Sequence, residues 1–73
     1  MRVAYDAHAD AAYISLGEGI PAGGVARTVA VDPREIDGMI HLDFDREGRL
    51  VGIEVLDASR LLDPRLLTSD GPS

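Results

Sequence analysis

Two groups of histidine and aspartate residues at alternate positions are the side chains best suited to chemistry. The first group is Asp6, His8 and Asp10, and the second is His41, Asp43 and Asp45. Alternate side chains of an extended strand lie on one face, and carboxylate and imidazole groups together bind divalent metal ions. One hypothesis is therefore a divalent-metal or small-ligand site, with the ligands Asp6, His8, Asp10, His41 and Asp43. The alternative places the first group in a solvated turn and the second on the polar outer face of a half-buried sheet.

The second group also begins a stretch that nearly matches a calcium-binding EF-hand loop. Counted from Asp43, acidic residues fall at loop positions one, three, five and twelve, and Gly48 falls at position six. An EF-hand loop lies between two helices. Here the residues on both sides alternate between apolar and polar types, which is typical of strands. Glu54 would then lie within a strand, where it cannot fold back as a ligand. The pattern predicts a tight hairpin turn and not a calcium sensor.

The residue content argues against an enzyme. The chain has no cysteine, which excludes disulfides, zinc–thiolate sites and cysteine nucleophiles. No serine shows a nucleophile signature, and a chain of 73 residues encloses a deep pocket with difficulty. The glycine-rich segment 17–24, GEGIPAGG, lacks the lysine and the following helix of a phosphate-binding loop. We expect a protein with no enzymatic activity and no cofactor.

Charge and hydropathy limit the classes of partner. Thirteen acidic residues against seven basic ones give a formal net charge of −6. An acidic surface repels phosphate, so we expect no direct binding of nucleic acid, and it favours a basic protein as partner. No apolar run approaches the length of about 18 residues that a membrane span needs, and no basic leader is present. We therefore expect a cytoplasmic protein that does not contact a membrane.

Alternation of apolar and polar residues predicts an antiparallel sheet of about five strands. The predicted strands cover residues 1–5, 12–17, 25–32 and the two flanks of the acidic turn, near 40–44 and 51–55. Short turns join most of them, so a β-meander is the simplest topology. After Asp57 the pattern changes to a short C-terminal helix, for which Asp57 or Ser59 would be the N-cap. The predicted fold class is mainly β, at the margin of α+β.

The register of the last two strands has two alternatives. Pairing Leu42 with Val51 leaves a two-residue turn at Arg46 and Glu47. A three-residue turn with Gly48 in the left-handed conformation shifts the register by one residue. The sequence does not decide between them.

Four leucines follow the predicted sheet in two pairs, Leu61-Leu62 and Leu66-Leu67. One interpretation is that they pack on the sheet and close a small core. The other is that some stay exposed and dock on a partner or a second copy, because exposed apolar patches usually mark interfaces. We predict a single small β domain over residues 1–62 and a C-terminal extension over 63–73 that is partly ordered or frayed.

Three segments of the chain resemble a small prokaryotic family known as domain of unknown function 2283. They are YDAHADAAYISL at residues 5–16, TVAVD at 28–32 and IHLDFDREGRLVGIEVLDAS at 40–59. The resemblance implies a stand-alone small β protein and carries over no activity or catalytic residue. Where the family favours proline and an acid, this chain has Ala7 and His8. Some members are encoded beside small toxin-like proteins, which implies an antitoxin role for those members.

The leading hypothesis is a non-enzymatic protein-binding module, such as an antitoxin-like acidic partner of a small basic toxin. Carboxylates would meet the basic residues of the partner and leucines would anchor it. The predicted binding residues are Asp43, Asp45, Glu54, Leu61, Leu62, Leu66 and Leu67. Two alternatives stay open: the metal or ligand site above, and a self-associating structural domain whose homodimer pairs edge strands or buries the leucines.

Overall fold

The computed structural model describes residues 1–17 and 19–67, which form a five-stranded antiparallel sheet followed by two short helical segments. The elements are β1 (Arg2–Asp6), β2 (Ala11–Ser15), β3 (Arg27–Ala30), β4 (Met39–Phe44), β5 (Leu50–Leu56), α1 (Ala58–Leu61) and a 3₁₀ helix (Pro64–Leu67). The predicted mainly-β class and the short C-terminal helix are confirmed. β3 is shorter than the predicted strand 25–32, because the Asp32 carboxylate accepts a hydrogen bond from the Arg34 amide at 2.9 Å and begins a turn.

The strand order is β1-β2-β5-β4-β3, so the meander order predicted from the sequence is wrong. After β2, residues 16–26 carry the chain to the far edge of the sheet, where β3 pairs with β4. β5 then inserts between β2 and β4 and pairs with both. Alternating hydrophobicity identifies strands but not their neighbours, so the sequence pattern does not show that the connection after β2 joins two strands that are not adjacent.

The register defines two faces of the sheet, because paired residues in adjacent strands point to the same side. On one side, which we call the inner face, one row is Val3, Ile14, Ile53, Leu42 and Val29. The next row on that face is Tyr5, Ala12, Val55 and Ile40. On the outer face the rows are mainly polar, as expected for an antiparallel sheet with one solvated side.

The core is small and lies against β2 and β5 on the inner face. Ala12, Val55 and Ala58 are 2%, 1% and 0% exposed. Half-buried apolar residues pack against these three: Val3, Tyr5, Ile40, Ile53, Leu61, Leu62 and Leu67. Leu61 lies over Gly38, where an added Cβ would come within 2.5 Å of the Leu61 Cδ1 atom. The helical leucines therefore supply the second layer that the β1 and β2 side of the sheet needs.

The β4–β5 turn is the three-residue alternative. Gly48 adopts the left-handed conformation at φ 81°, and the Asp45 amide donates to the Arg49 carbonyl at 2.9 Å. One carboxylate oxygen of Asp45 accepts from the amides of Glu47 and Arg49, both at 2.9 Å. The acidic residues and the glycine that mimic an EF-hand therefore form a hairpin turn between two strands.

A β-bulge next to this turn sets the register of the rest of the hairpin. Phe44 pairs with Leu50, but Asp43 pairs with Gly52, so Val51 is the extra residue. Leu42 consequently faces Ile53. The alternative that paired Leu42 with Val51 is wrong, because the third turn residue and the bulge each move the pairing by one position.

The N-terminus of α1 is capped by the β1–β2 turn and not by its own predicted cap residues. Asp57 occupies the N-cap position in the left-handed conformation at φ 56°, and its side chain makes no capping hydrogen bond. The Ala58 amide donates to the Asp10 carbonyl at 2.9 Å, and the Ser59 amide donates to the Asp10 carboxylate at 3.0 Å. Asp10 therefore does the work that the sequence assigned to Asp57 or Ser59.

The packed unit continues beyond the predicted domain limit at residue 62. The 3₁₀ helix lies against β1, and Leu67 contacts the core. Residues 68–73, predicted as a frayed tail, lie outside the described residues. In the described part of the chain, no helix has the length and apolar character needed to cross a membrane.

Candidate functional site

A hydrogen-bonded chain of three side chains crosses the centre of the outer face. The Tyr13 hydroxyl of β2 donates to Asp43 Oδ2 of β4 at 2.6 Å. The Thr28 hydroxyl of β3 donates to the other oxygen, Asp43 Oδ1, also at 2.6 Å. Both Asp43 oxygens are thus satisfied, and one carboxylate ties together three strands.

The absence of a side chain at Gly52 leaves the space that the Tyr13–Asp43 hydrogen bond needs. It pairs with Asp43 on one side and with Ser15 on the other, so it lies in β5 between the two bonded side chains. A Cβ at position 52 would overlap the Tyr13 hydroxyl and come within 2.6 Å of the Tyr13 Cζ atom. A glycine inside a strand often marks such a close approach, and this is the sequence signal that could have identified the contact.

The environment of Tyr13 keeps its hydroxyl protonated. Burial, followed by the hydrogen bond to Asp43, raises the pKa of Tyr13 to about 12. Tyr13 therefore donates a hydrogen bond throughout the physiological pH range and cannot act as a base there. Beside it on the outer face, His41 Nδ1 lies 2.9 Å from Glu54 Oε1. The outer face thus carries two cross-strand polar pairs: Tyr13–Asp43 connects β2 to β4 across β5, and His41–Glu54 connects the adjacent strands β4 and β5.

Asp6, His8 and Asp10 lie at or within the β1–β2 turn, and their side chains do not converge. One Asp6 oxygen accepts from the amides of His8 and Ala9 at 3.0 and 3.4 Å. Asp10 instead accepts from the Tyr5 hydroxyl at 2.7 Å and, as described above, binds the start of α1. The interpretation of this group as a turn is confirmed.

The geometry gives the metal-site hypothesis no support. Across residues 1–17 and 19–67, no group of three or more histidine, cysteine or acidic side chains is close enough to hold a metal ion. The proposed ligands were Asp6, His8, Asp10, His41 and Asp43. The first three belong to the β1–β2 turn, whereas β5 separates β2 from the strand that carries the other two.

The structure does not bring the predicted partner-binding residues onto one surface. Asp43 and Glu54 lie on the outer face and have intramolecular partners, and the Asp45 carboxylate closes the hairpin turn. Three of the four leucines, Leu61, Leu62 and Leu67, pack against the core. Leu66 is 38% exposed, so it is the member of the set that remains available to a partner.

A different apolar surface is left without a second layer on the inner face of β3 and β4. We call it the apolar half-face, and its residues are Val29, Val31, Leu42 and Phe44. Along one row of the sheet the exposed fraction rises from 9% at Ile14 to 37% at Val29. Val31, Leu42 and Phe44 are half-buried, and Val29 is exposed. The described helical segments lie mainly against β1 and β2, and Leu61 reaches only as far as Gly38, beside the start of β4.

The two ends of the apolar half-face carry opposite charges. At one end the Arg27 guanidinium lies over the Phe44 ring, 5.5 Å from its centroid, and it has no carboxylate partner among the described residues. At the other end Asp32 follows Val31, and its carboxylate binds Arg34 at 2.8 Å. Glu35 lies in the same turn, exposed and without an ion pair in the part of the chain that is described.

Sequence reasoning missed the apolar half-face because it assumed a complete core. Alternation places Val29 and Val31 on one side of β3, and Leu42 and Phe44 alternate as a buried strand face does. Nothing in that alternation says how far a helix of four residues extends across five strands. The signal that was available is length: α1 and the 3₁₀ helix together are too short to cover the sheet.

Comparison with known proteins identifies the family but not an activity. A model of the family described as "Protein of unknown function (DUF2283)" matches residues 2–59, which include all five strands and the start of α1. The comparisons found no match among the curated proteins and none among the solved structures. The match covers well over half of the 73 residues and agrees with the three segments that carry the resemblance. The chain belongs to the DUF2283 family.

Proposed function

We propose that this protein is a non-enzymatic protein-binding module whose docking surface is the apolar half-face. The observation that carries the proposal is the rise in exposure along a single apolar row, from 9% at Ile14 to 37% at Val29. A sheet must bury its apolar face against another layer. The chain supplies that layer for β1 and β2 from its own leucines, and a second protein would supply it for β3 and β4.

The residues of the half-face suit a protein contact. Leu42, near its middle, and Phe44, at one end, are large apolar side chains, and such side chains supply most of the binding energy in compact interfaces. Contiguous exposed apolar patches with charged surroundings usually mark sites of protein interaction. The charges of Arg27, Asp32 and Glu35 at the two ends would then set the orientation of the partner.

Two features support a binding role over catalysis. Four side chains that could exchange protons are hydrogen-bonded to one another in cross-strand pairs on the outer face. They are Tyr13 with Asp43 and His41 with Glu54. The two grooves along the glycine-rich loop have volumes of about 440 and 260 Å³, and neither is lined by any of these four residues.

The partner classes that fit are a second copy of the chain and a small basic protein. The net charge of −6 favours the basic protein, and an antitoxin-like role is one form that such a complex would take. The carboxylates first expected to bind it are held in intramolecular bonds. The apolar half-face, and not the set of carboxylates Asp43, Asp45 and Glu54, is therefore the surface to test.

Affinity capture with three matched variants tests the docking surface. Val29→Asp places a charge on the half-face, where the side chain is already 37% exposed. Met39→Asp places the same charge on the outer face of the neighbouring strand, at a residue 52% exposed, and Leu66→Asp changes the exposed leucine. We expect protein partners captured from the source cells by the wild type to be lost with Val29→Asp and kept with the other two. Circular dichroism verifies that each variant is folded. Partners retained by folded Val29→Asp, or lost equally with Met39→Asp, contradict the proposal.

A further inference from the structure

We propose that the occupant of the apolar half-face is a second copy of the same chain, packed face to face across a two-fold axis. The inference deepens the proposed function and rests on it, because it names the partner of the same surface. The resulting homodimer would be a sandwich in which the β3–β4 halves of two sheets form a shared core.

The charges at the ends of the half-face are arranged for self-association. Arg27 begins β3, and the turn that follows its other end starts about 16 Å away along an extended chain. Within that turn Arg34 neutralises Asp32 at 2.8 Å, so Glu35 supplies the negative charge of this end. A two-fold axis that lies in the interface, perpendicular to the strands, makes the strands of the two copies run in opposite directions. Arg27 of each copy then lies beside the acidic end of the other copy, and two equivalent attractive contacts form.

A uniformly basic partner fits this surface less well than a second copy does. Such a partner would gain from Glu35 but would meet Arg27, which has no carboxylate partner in the described chain, at the opposite end. Like charges placed together across an interface oppose binding and select against wrong partners. The overall charge of −6 opposes self-association, and the contacts between Arg27 and Glu35 would offset part of that repulsion at the half-face.

The size of the half-face sets the strength expected of the dimer. Two strands spaced about 4.8 Å apart, over about five residues at 3.3 Å each, give a footprint of about 160 Å² per copy. The side chains of both copies together would bury about 500 Å² of accessible surface, which is below the area of stable interfaces and typical of weak, transient ones. We therefore expect a weak dimer that dissociates on dilution.

Sedimentation equilibrium of the purified full-length protein tests this inference. Over a range from about 1 µM to several hundred µM, the expected result is a rise in average mass from one chain towards two. Val29→Asp should weaken the association at least about tenfold, and Met39→Asp should leave it within about twofold of the wild type. The Met39 variant is the matched control for added charge and for folding.

A charge exchange tests the two-fold arrangement without touching an apolar residue. Arg27→Glu should weaken the association several-fold, and adding Glu35→Arg to the same chain should recover part of the loss. A wild type that keeps the mass of one chain at the highest concentration overturns the inference. If the Val29-dependent capture described above persists in that case, the docking surface stands and only its occupant is different. Equal weakening by Val29→Asp and Met39→Asp also overturns it.

Discussion

Replacing Gly52 with alanine should destabilise the protein by about 2 kcal/mol and detach Tyr13 from Asp43. The new Cβ would overlap the Tyr13 hydroxyl, so the ring must rotate away towards solvent. The chain then loses a 2.6 Å hydrogen bond to a carboxylate and the packing of the ring on β5. The free energy of unfolding comes from urea denaturation followed by circular dichroism.

The pKa of Tyr13 reports directly on the same contact. In the wild type it is raised to about 12 from the ordinary value of 10.0 by burial and by Asp43. In Gly52→Ala it should fall towards the ordinary value, which ultraviolet absorbance of tyrosinate measures; the Tyr5→Phe background removes the second tyrosine. As a control, Gly52→Ala in a Tyr13→Ala background should cost little, because the ring is absent. An equal cost in both backgrounds would mean that the glycine is needed for another reason.

Replacing Asp10 with alanine should have the largest effect among the aspartates of the described chain. Its carboxylate accepts hydrogen bonds from the Tyr5 hydroxyl, the Ser59 amide and the Ser59 hydroxyl. Its backbone is in the left-handed conformation at φ 51°, which alanine adopts less readily than aspartate or asparagine. We expect the melting temperature to fall on the order of 10 °C. Asp32→Ala is the control, since within the described residues the Asp32 carboxylate bonds only to the nearby Arg34.

The contribution of the Asp10 charge should depend on pH in a defined direction. Hydrogen bonds from Tyr5 and Ser59 lower the pKa of Asp10 below its ordinary value of 3.8. A lowered pKa in the folded state means that the charge stabilises the fold above pH 3.8 and that this gain is lost as pH falls through the folded-state pKa. Asp10→Asn should therefore be less stable than the wild type at neutral pH and approach it in acid. A stability difference that stays constant from neutral pH to acid would show that the charge has no part in it.

The local sequence pattern was sufficient to predict the secondary-structure elements, but the strand order and the cap of α1 depend on tertiary contacts. Period-two alternation located all five strands, and the Asp45–Gly48 turn could be recognised from its residues. The position of β5 between β2 and β4 depends on where residues 16–26 take the chain, and no residue in that segment encodes its destination. The cap supplied by Asp10 to α1 joins positions 10 and 59, a distance in sequence that cap rules do not cover.

The candidate site was harder to predict than the fold for a related reason. The sequence left two interpretations for Leu61, Leu62 and Leu67, packing on the sheet or docking on a partner, and the structure places all three against the core. Val29, Leu42 and Phe44 looked like core because they alternate, and Val29 is instead 37% exposed. Whether an apolar strand face is buried depends on the reach of the covering helix, which is a property of the assembled molecule.

The most direct test of the account is a nuclear Overhauser measurement between chains in a mixture of isotope-labelled and unlabelled protein. At a concentration where the protein associates, we predict cross-chain peaks to the methyl groups of Val29, Val31 and Leu42, and none to the methyl group of Met39 on the outer face. Peaks at those three residues would place a second copy on the apolar half-face. Cross-chain peaks confined to other surfaces, or no cross-chain peak at millimolar concentration, would contradict the account.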